Sequence, residues 1–181
     1  MAEPGGRLGS RSPDGRGAIG RETGDRDIGR ASVAGAALGM ALLALSAPWL
    51  TVHQPTAALA VRGFFSRLCH QDTARSFAIG ASPVAVCVRC LGIYCGVAAG
   101  AVVNRWLRLQ RSGALRCFFA GLLLNCLDVA AESLHLHGNL PFVRLLIGAL
   151  LGIAAGILLT VTRDRISPPP DDSFAFHART C

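Results

Sequence analysis

What most constrains this chain is a set of apolar stretches of about twenty residues, each long enough to cross a hydrocarbon core at ~1.5 Å per helical residue. Ala31–Val52 holds no charged residue and follows Arg30. Pro83–Val103 holds only Arg89, and Pro141–Thr162 only Arg144. Ala114–Leu134 carries Arg116 near its start and Asp128 and Glu132 near its end. A charge at a helix centre costs about 2.5–3.5 kcal/mol on insertion scales, and none of these sits at a centre. The expectation is an all-α polytopic membrane bundle of about four transmembrane helices, with spans at residues 31–52, 83–103, 114–134 and 141–162. The composition agrees: 51% of the 181 residues are hydrophobic, 16% are charged, and the mean hydropathy is +0.44. That balance excludes a soluble enzyme, a disordered protein, a secreted disulfide scaffold and a nucleic-acid binder.

Residues 1–30 carry eight Gly, six Arg and five acids with almost nothing apolar, which reads as a disordered tail. That polar lead is too long for a cleaved signal peptide, and the run after it exceeds an h-region, so the first span is retained. Residues 163–181, with Pro168, Pro169 and Pro170 in a row, read as a flexible end. All eighteen basic residues are Arg. Six lie in the N-terminal tail, Arg105, Arg108, Arg111 and Arg116 flank the connection between spans two and three, and three follow Thr162. Both termini are therefore expected on the cytoplasmic side. The partner implied is the lipid bilayer, and the net charge of +7 needs no nucleic acid. Residues 53–82 become an outer loop, with a re-entrant or amphipathic stretch around Phe64–Ser82.

Gly92, Gly96 and Gly100 recur every fourth residue in span two, as do Gly148, Gly152 and Gly156 in span four. Gly35 and Gly39 repeat the spacing in span one. Small residues on one face let helix backbones approach closely, within a chain or in a homo-oligomer; the spacing alone leaves both open.

With the termini inside, unusual residues from four segments fall in one outer layer. Cys69, His70 and Arg75 lie in the first outer loop, and Cys87, Arg89, Cys90 and Tyr94 at the start of span two. Asp128, Glu132 and His135 close span three, and Arg144 opens span four. Ionisable groups in a span point first to function. At about 100° per residue, Asn125, Asp128, Glu132 and His135 share an arc, and so do Cys87, Cys90 and Tyr94. Arg89 falls off that face and is expected to snorkel to the surface. Arg144 is the natural counter-charge for Asp128 or Glu132; a structural ion pair is the plain alternative to a functional one. Glu132-x-x-His135 resembles half of a di-metal unit whose other copy is missing.

Among the seven cysteines, Cys95, Cys117 and Cys126 read as small apolar fillers, and Cys181 is not part of a prenylation box. Cys69, Cys87 and Cys90 form a Cys-x17-Cys-x2-Cys pattern at an oxidising face. Three readings stand. One disulfide would leave a thiol over. A metal site would use three thiolates with a fourth group from His70, His135 or Asp128, zinc or another transition metal being the natural occupant. A redox pair at Cys87 and Cys90 would exchange electrons with a partner or a quinone. No His follows the Cys-x2-Cys, so covalent haem attachment is not supported. His53 and His177 have no companions.

Cys69-His70-Gln71, Arg75-Ser76-Phe77 and Pro83-x3-Cys87-x-Arg89-Cys90-x-Gly92-Ile93-Tyr94-x-Gly96 together resemble the small prokaryotic membrane proteins grouped as domain of unknown function 2085. Asp128, Asn139, Arg144, Gly148 and Gly152 fill later positions of that pattern, so the resemblance runs from about Phe64 to Leu159. The stretch between Pro83 and Cys87 is longer than the family pattern, Glu132 stands in place of an amide, and Ile147-Gly148 replaces Thr-Gly. The family implies a multi-pass protein of the plasma (inner) membrane and carries no established activity. Its second knuckle cysteine can be aspartate, which ligates metal but forms no disulfide, so the resemblance favours metal. Cys69, Cys87 and Cys90 would then be ligands, with His70 or Asp128 completing the set and Arg75 and Arg144 as charge partners. The runner-up resembles the quinone-linked disulfide oxidases and vitamin K epoxide reductases, which also place Cys-x2-Cys at the outer end of a span. A purely structural protein with one disulfide is the third reading.

Overall fold

The computed structural model describes residues 15–72, 75–80, 82–107, 109–134 and 140–166, with side chains described from Asp27 to Arg163. Five helices and one small hairpin follow in order: α1 (Gly15–His53), α2 (Pro55–Phe65), β1 (Ala78–Ile79), β2 (Ser82–Pro83), α3 (Val88–Leu107), α4 (Arg111–Ser133) and α5 (Pro141–Ile166). Four stretches are long and apolar enough to cross a membrane: Asp27–His53, Val88–Leu107, Arg111–Ser133 and Pro141–Arg163. The expected all-α, four-span bundle is therefore what the chain forms.

Its centre is a seam between two parallel helices. A Cβ added to Gly92, Gly96 or Gly100 would lie 2.2–2.3 Å from the carbonyl oxygens of Leu145, Ala149 and Ile153 in turn. Added to Gly148, Gly152 or Gly156, it would lie 2.3 Å from those of Arg89, Ile93 and Val97. Each glycine of one helix thus sits on a carbonyl of the other, leaving room for a Cα hydrogen and no more. The two glycine stripes meet each other within one chain, which resolves what their spacing left open. Gly35 and Gly39 meet nothing within 4 Å.

The flanking helices run the opposite way. Gly29 of α1 lies by the Arg163 side chain of α5, and Gly121 of α4 lies against Leu151. At the inner-facing end of the seam, as the charge distribution predicts it, the buried Asn104 amide donates to Thr160 Oγ1 at 2.9 Å.

Three boundaries differ from expectation. Helix α1 begins at Gly15, so residues 15–30 are helical where a disordered tail was expected. A helix already nucleated in an apolar span propagates into polar sequence at little cost, and an Asp27–Arg30 pair at 3.6 Å supports its surface there. Residues 1–14 and 167–181 lie outside the described residues. Helix α5 continues to Ile166, past the expected end.

The third difference shapes the site. Span two starts at Val88 rather than at residue 83, because Pro83 pairs with Ala78 in the hairpin and Val84-Ala85-Val86 is a bent, non-helical connection. Those residues are apolar because they are core: they are 3%, 0% and 1% exposed, packed on Ala41, Ala44 and Ala47 of α1. Their amides are satisfied outside any helix of their own, Val84 N–H donating to Phe77 O at 2.8 Å and Ala85 N–H to Ala44 O at 3.3 Å. The second bond has a cause in α1. Ala44 O would normally accept from residue 48, but residue 48 is Pro and has no N–H. The bent connection satisfies the carbonyl that the proline orphans. The amphipathic stretch expected around Phe64–Ser82 is likewise displaced; the helix is Pro55–Phe65, and the hairpin follows.

Candidate functional site

The hairpin, the end of α2 and the starts of α3 and α5 converge at one end of the bundle. Cys69 sits in the turns that prolong α2, its N–H donating to Phe65 O at 2.8 Å. Phe65, fully buried, anchors that turn in the core beside Tyr94, with ring centroids 6.2 Å apart. The chain then reverses at Gln71, whose φ of 49° is left-handed. Its side-chain amide secures the turn by donating to Arg62 O at 2.6 Å. Arg62 in turn donates to Pro83 O at 2.7 Å and ties α2 to the hairpin.

Cys87 is the residue that caps α3. Its carbonyl accepts from Leu91 N–H at 3.1 Å, and its own N–H donates to Cys69 Sγ at 3.3 Å. Cys90 follows one turn later. The three sulfurs lie within 4.8 Å of one another, with Cys69 buried and the other two half-buried. The Cys90 thiol and the Cys90 and Arg89 backbone N–H groups donate to Cys87, and Cys69 adds to this against the opposing effect of burial. Together they hold the Cys87 thiol well below its ordinary range, at about 5. A helix start is where a thiolate is stabilised by unpaired amides and by the helix dipole.

A cavity of about 370 Å³ opens beside the sulfurs. All three cysteines line it, with His70, Gln71, Asp72, Arg75, Arg89 and Arg144. Behind it runs a partly buried ion-pair network joining four segments. Arg89 donates to Asp128 Oδ2, and Arg144 Nη2 to Glu132 Oε1 at 2.7 Å. Arg75 Nη2 reaches the same Glu132 oxygen at 3.1 Å, while its Nε reaches Asp72 at 3.1 Å. Arg89 Nη2 lies 3.7 Å from the other Glu132 oxygen.

The structure thus brings together residues that were expected in one outer layer, with adjustments at Arg89, Asp128 and His70. Arg89 does not snorkel; it reaches across to Asp128, and the snorkelling expectation is corrected. Its position after the helix cap, not its phase within an ideal helix, decides its direction. Arg144 takes Glu132 as its partner. Asp128, set among the expected ligands, is 8% exposed and engaged by Arg89 rather than grouped with the sulfurs. His70 is exposed and lines the cavity without joining the group whose donor atoms lie together. Tyr94 packs against the hydrophobic core beside the cluster. His135 and Asn139 lie outside the described residues. Cys95, Cys117 and Cys126 are exposed free thiols on the helix surfaces, away from the cluster. Arg62 and the Pro48–Ala44–Ala85 relation were not singled out beforehand, and Gln71 was named only within the Cys69-His70-Gln71 motif. A proline inside an apolar span was the available signal for the last.

Comparison with known proteins follows the same boundaries. The family described as predicted membrane protein (DUF2085) matches residues 69–158, from the first cluster cysteine into α5. An uncharacterized protein of Methanocaldococcus jannaschii is 43% identical over 44 residues, which are 24% of this chain and 28% of that protein. The chain thus aligns with little more than a quarter of that relative's length. No solved structure matches. From the sulfur cluster through the glycine seam, the matched region is the one whose geometry has just been described, and the chain belongs to this family of predicted membrane proteins of unknown function.

Proposed function

We propose that this is a multi-pass plasma-membrane protein whose Cys69, Cys87 and Cys90 bind a transition metal, zinc in the first instance, on the side away from the arginine-rich connections. One observation carries this reading: two separate segments, the end of α2 and the start of α3, deliver three sulfurs to within 4.8 Å. A tetrahedral zinc with Zn–S of about 2.3 Å needs sulfurs roughly 3.8 Å apart, so contraction by about 1 Å suffices. The donor chemistry fits as well. The Arg89 and Cys90 backbone N–H groups at the start of α3 favour the thiolate form of Cys87, the form in which a thiol binds metal. Bound there, the metal would join the hairpin segment to α2 and supply a Lewis-acid centre at the membrane end.

The test is thiol counting on the full chain in detergent, with elemental analysis of the same sample. The expected result is about one metal per chain and three thiols that resist alkylation until a chelator is added. A metal-free sample in which Cys87 and Cys90 alkylate only after mild reduction would overturn it.

That outcome belongs to a second reading, thiol–disulfide exchange, favoured by the lowered Cys87 thiol at a helix start in a Cys-x2-Cys. Cys87 and Cys90 would form one disulfide while giving two electrons and two protons to an acceptor such as a quinone.

A further inference from the structure

Three cysteines supply three ligands, and among the described residues the group of donor atoms that lie together contains no fourth. A site with three protein ligands keeps an open position for an exchangeable one. Here that position is not closed over by protein, because all three cysteines line the cavity of about 370 Å³. The volume equals roughly a dozen waters, enough for a small solute group beside the sulfurs.

The charges facing the cavity identify the chemistry of that group. Arg75, Arg89 and Arg144 line it, against Asp72 as the single carboxylate. The carboxylates of Asp128 and Glu132 hold those guanidinium groups from behind and are not part of the lining. Arg144 is 4% exposed, a buried cation in the cavity lining. The parallel helices α3 and α5 both begin here, adding the partial positive charge of two N-termini. A metal cluster flanked by planar cationic forks is suited to an oxygen anion, which guanidinium recognises bidentately.

Resting on the metal reading above, we propose that the cavity binds an oxyanion, a phosphate or carboxylate group, which takes the fourth position on the metal and is held by Arg75, Arg89 and Arg144. The group could belong to a free solute or to a lipid headgroup, and the chemistry of recognition is the same for both. Arg75, half-exposed at the rim and paired to both Asp72 and Glu132, is the arginine positioned to shift toward an incoming anion.

The experiment uses the full chain in detergent loaded with cobalt(II) in place of zinc. Sulfur-to-cobalt charge-transfer bands report the three thiolates, and the ligand-field bands report the fourth ligand. Inorganic phosphate and acetate are titrated in. Saturable ligand-field changes with steady charge-transfer bands are expected, weakened about tenfold in Arg75→Ala and largely restored in Arg75→Lys. Ligand-field bands indifferent to both anions would overturn the oxyanion site while leaving the metal site standing. Absence of the charge-transfer bands would instead remove the metal reading beneath it, and this proposal with it. In phosphatidylcholine nanodiscs, the phosphate-type spectrum appearing only when phosphatidic acid is included assigns the lipid as source. Its appearance on adding free phosphate, without phosphatidic acid, assigns a solute.

Discussion

Helix α5 holds its two neighbours by opposite means. Against α3 it uses backbone on backbone, six glycines alternating with six carbonyls and no side chain between them. Against α4 it has one glycine contact, Gly121 at Leu151, and at the cysteine end it relies on charge, through Arg144 and Glu132. The first interface is intolerant of any added atom. The second is intolerant of a lost charge. Lipid supplies no hydrophobic drive between helices, so close contact and polar pairing are the two means available, and this chain uses each in a different place.

The contrast is broken most severely at the seam. A Cβ on Gly152 would fall 2.3 Å from Ile93 O and 3.0 Å from the Gly96 Cα, both backbone and neither able to swing aside. Gly152→Val should cost about 3 kcal/mol or more and leave little folded protein, read as a lost unfolding transition by circular dichroism in detergent. Survival of the parent transition would mean that α3 and α5 are not in backbone contact.

The charged interface should respond to chemistry with no change of size. Asp128→Asn leaves the Arg89 guanidinium facing an uncharged amide in a mostly buried place, at a cost of about 3 kcal/mol. Arg89→Gln made in the same protein should return much of that loss, because both members of the pair are then neutral. Equal, additive losses would deny the pair its coupling.

The cluster itself separates the functional readings. Cys87→Ser should reduce bound metal to well under half an equivalent, whereas Cys90→Asp should keep most of it, since a carboxylate can ligate. Loss of function on Cys90→Asp with no change in metal content would favour the redox reading. In metal-free protein, the Cys87 thiol is held low, so its thiolate persists as pH falls until about 5 and is protonated below that. Its alkylation by iodoacetamide, followed by mass spectrometry from pH 4 to 9, should therefore show a midpoint near 5. A midpoint in the ordinary thiol range would remove the stabilisation attributed first to the Cys90 thiol and then to the amides at the start of α3.

The smallest effect is expected in α1. Gly35 has nothing within 4 Å of a would-be Cβ, so Gly35→Ala should change stability by no more than about 1 kcal/mol. Set beside Gly152→Val, it separates glycines that serve packing from one that does not.

The spans were legible because hydropathy reports the one demand a bilayer makes on every residue along a helix. The polar layer was legible because a charge in such a span is conspicuous. Val84-Ala85-Val86 misled for the same reason: hydropathy does not distinguish a segment buried against α1 from one facing lipid. Arg89 misled because helical phase within one span does not show that Asp128 of α4 lies within reach of its guanidinium. Cys87 as the cap of α3 was likewise invisible, since a cap is defined by where the helix begins.

The sequence by itself determined the class of the molecule, the number of its spans, the spacing of its glycines and the composition of its one polar layer. Those properties are sums or periodicities over neighbours in the chain. Only the tertiary structure decided that the two glycine stripes face each other, that Arg89 belongs to Asp128 and Arg144 to Glu132, and that three sulfurs share one cavity wall. Each of these is a pairing between segments distant in sequence. Such pairings depend on where helices start and how far their axes can approach, here set by a carbonyl left free at Pro48 and by glycines that let two backbones touch.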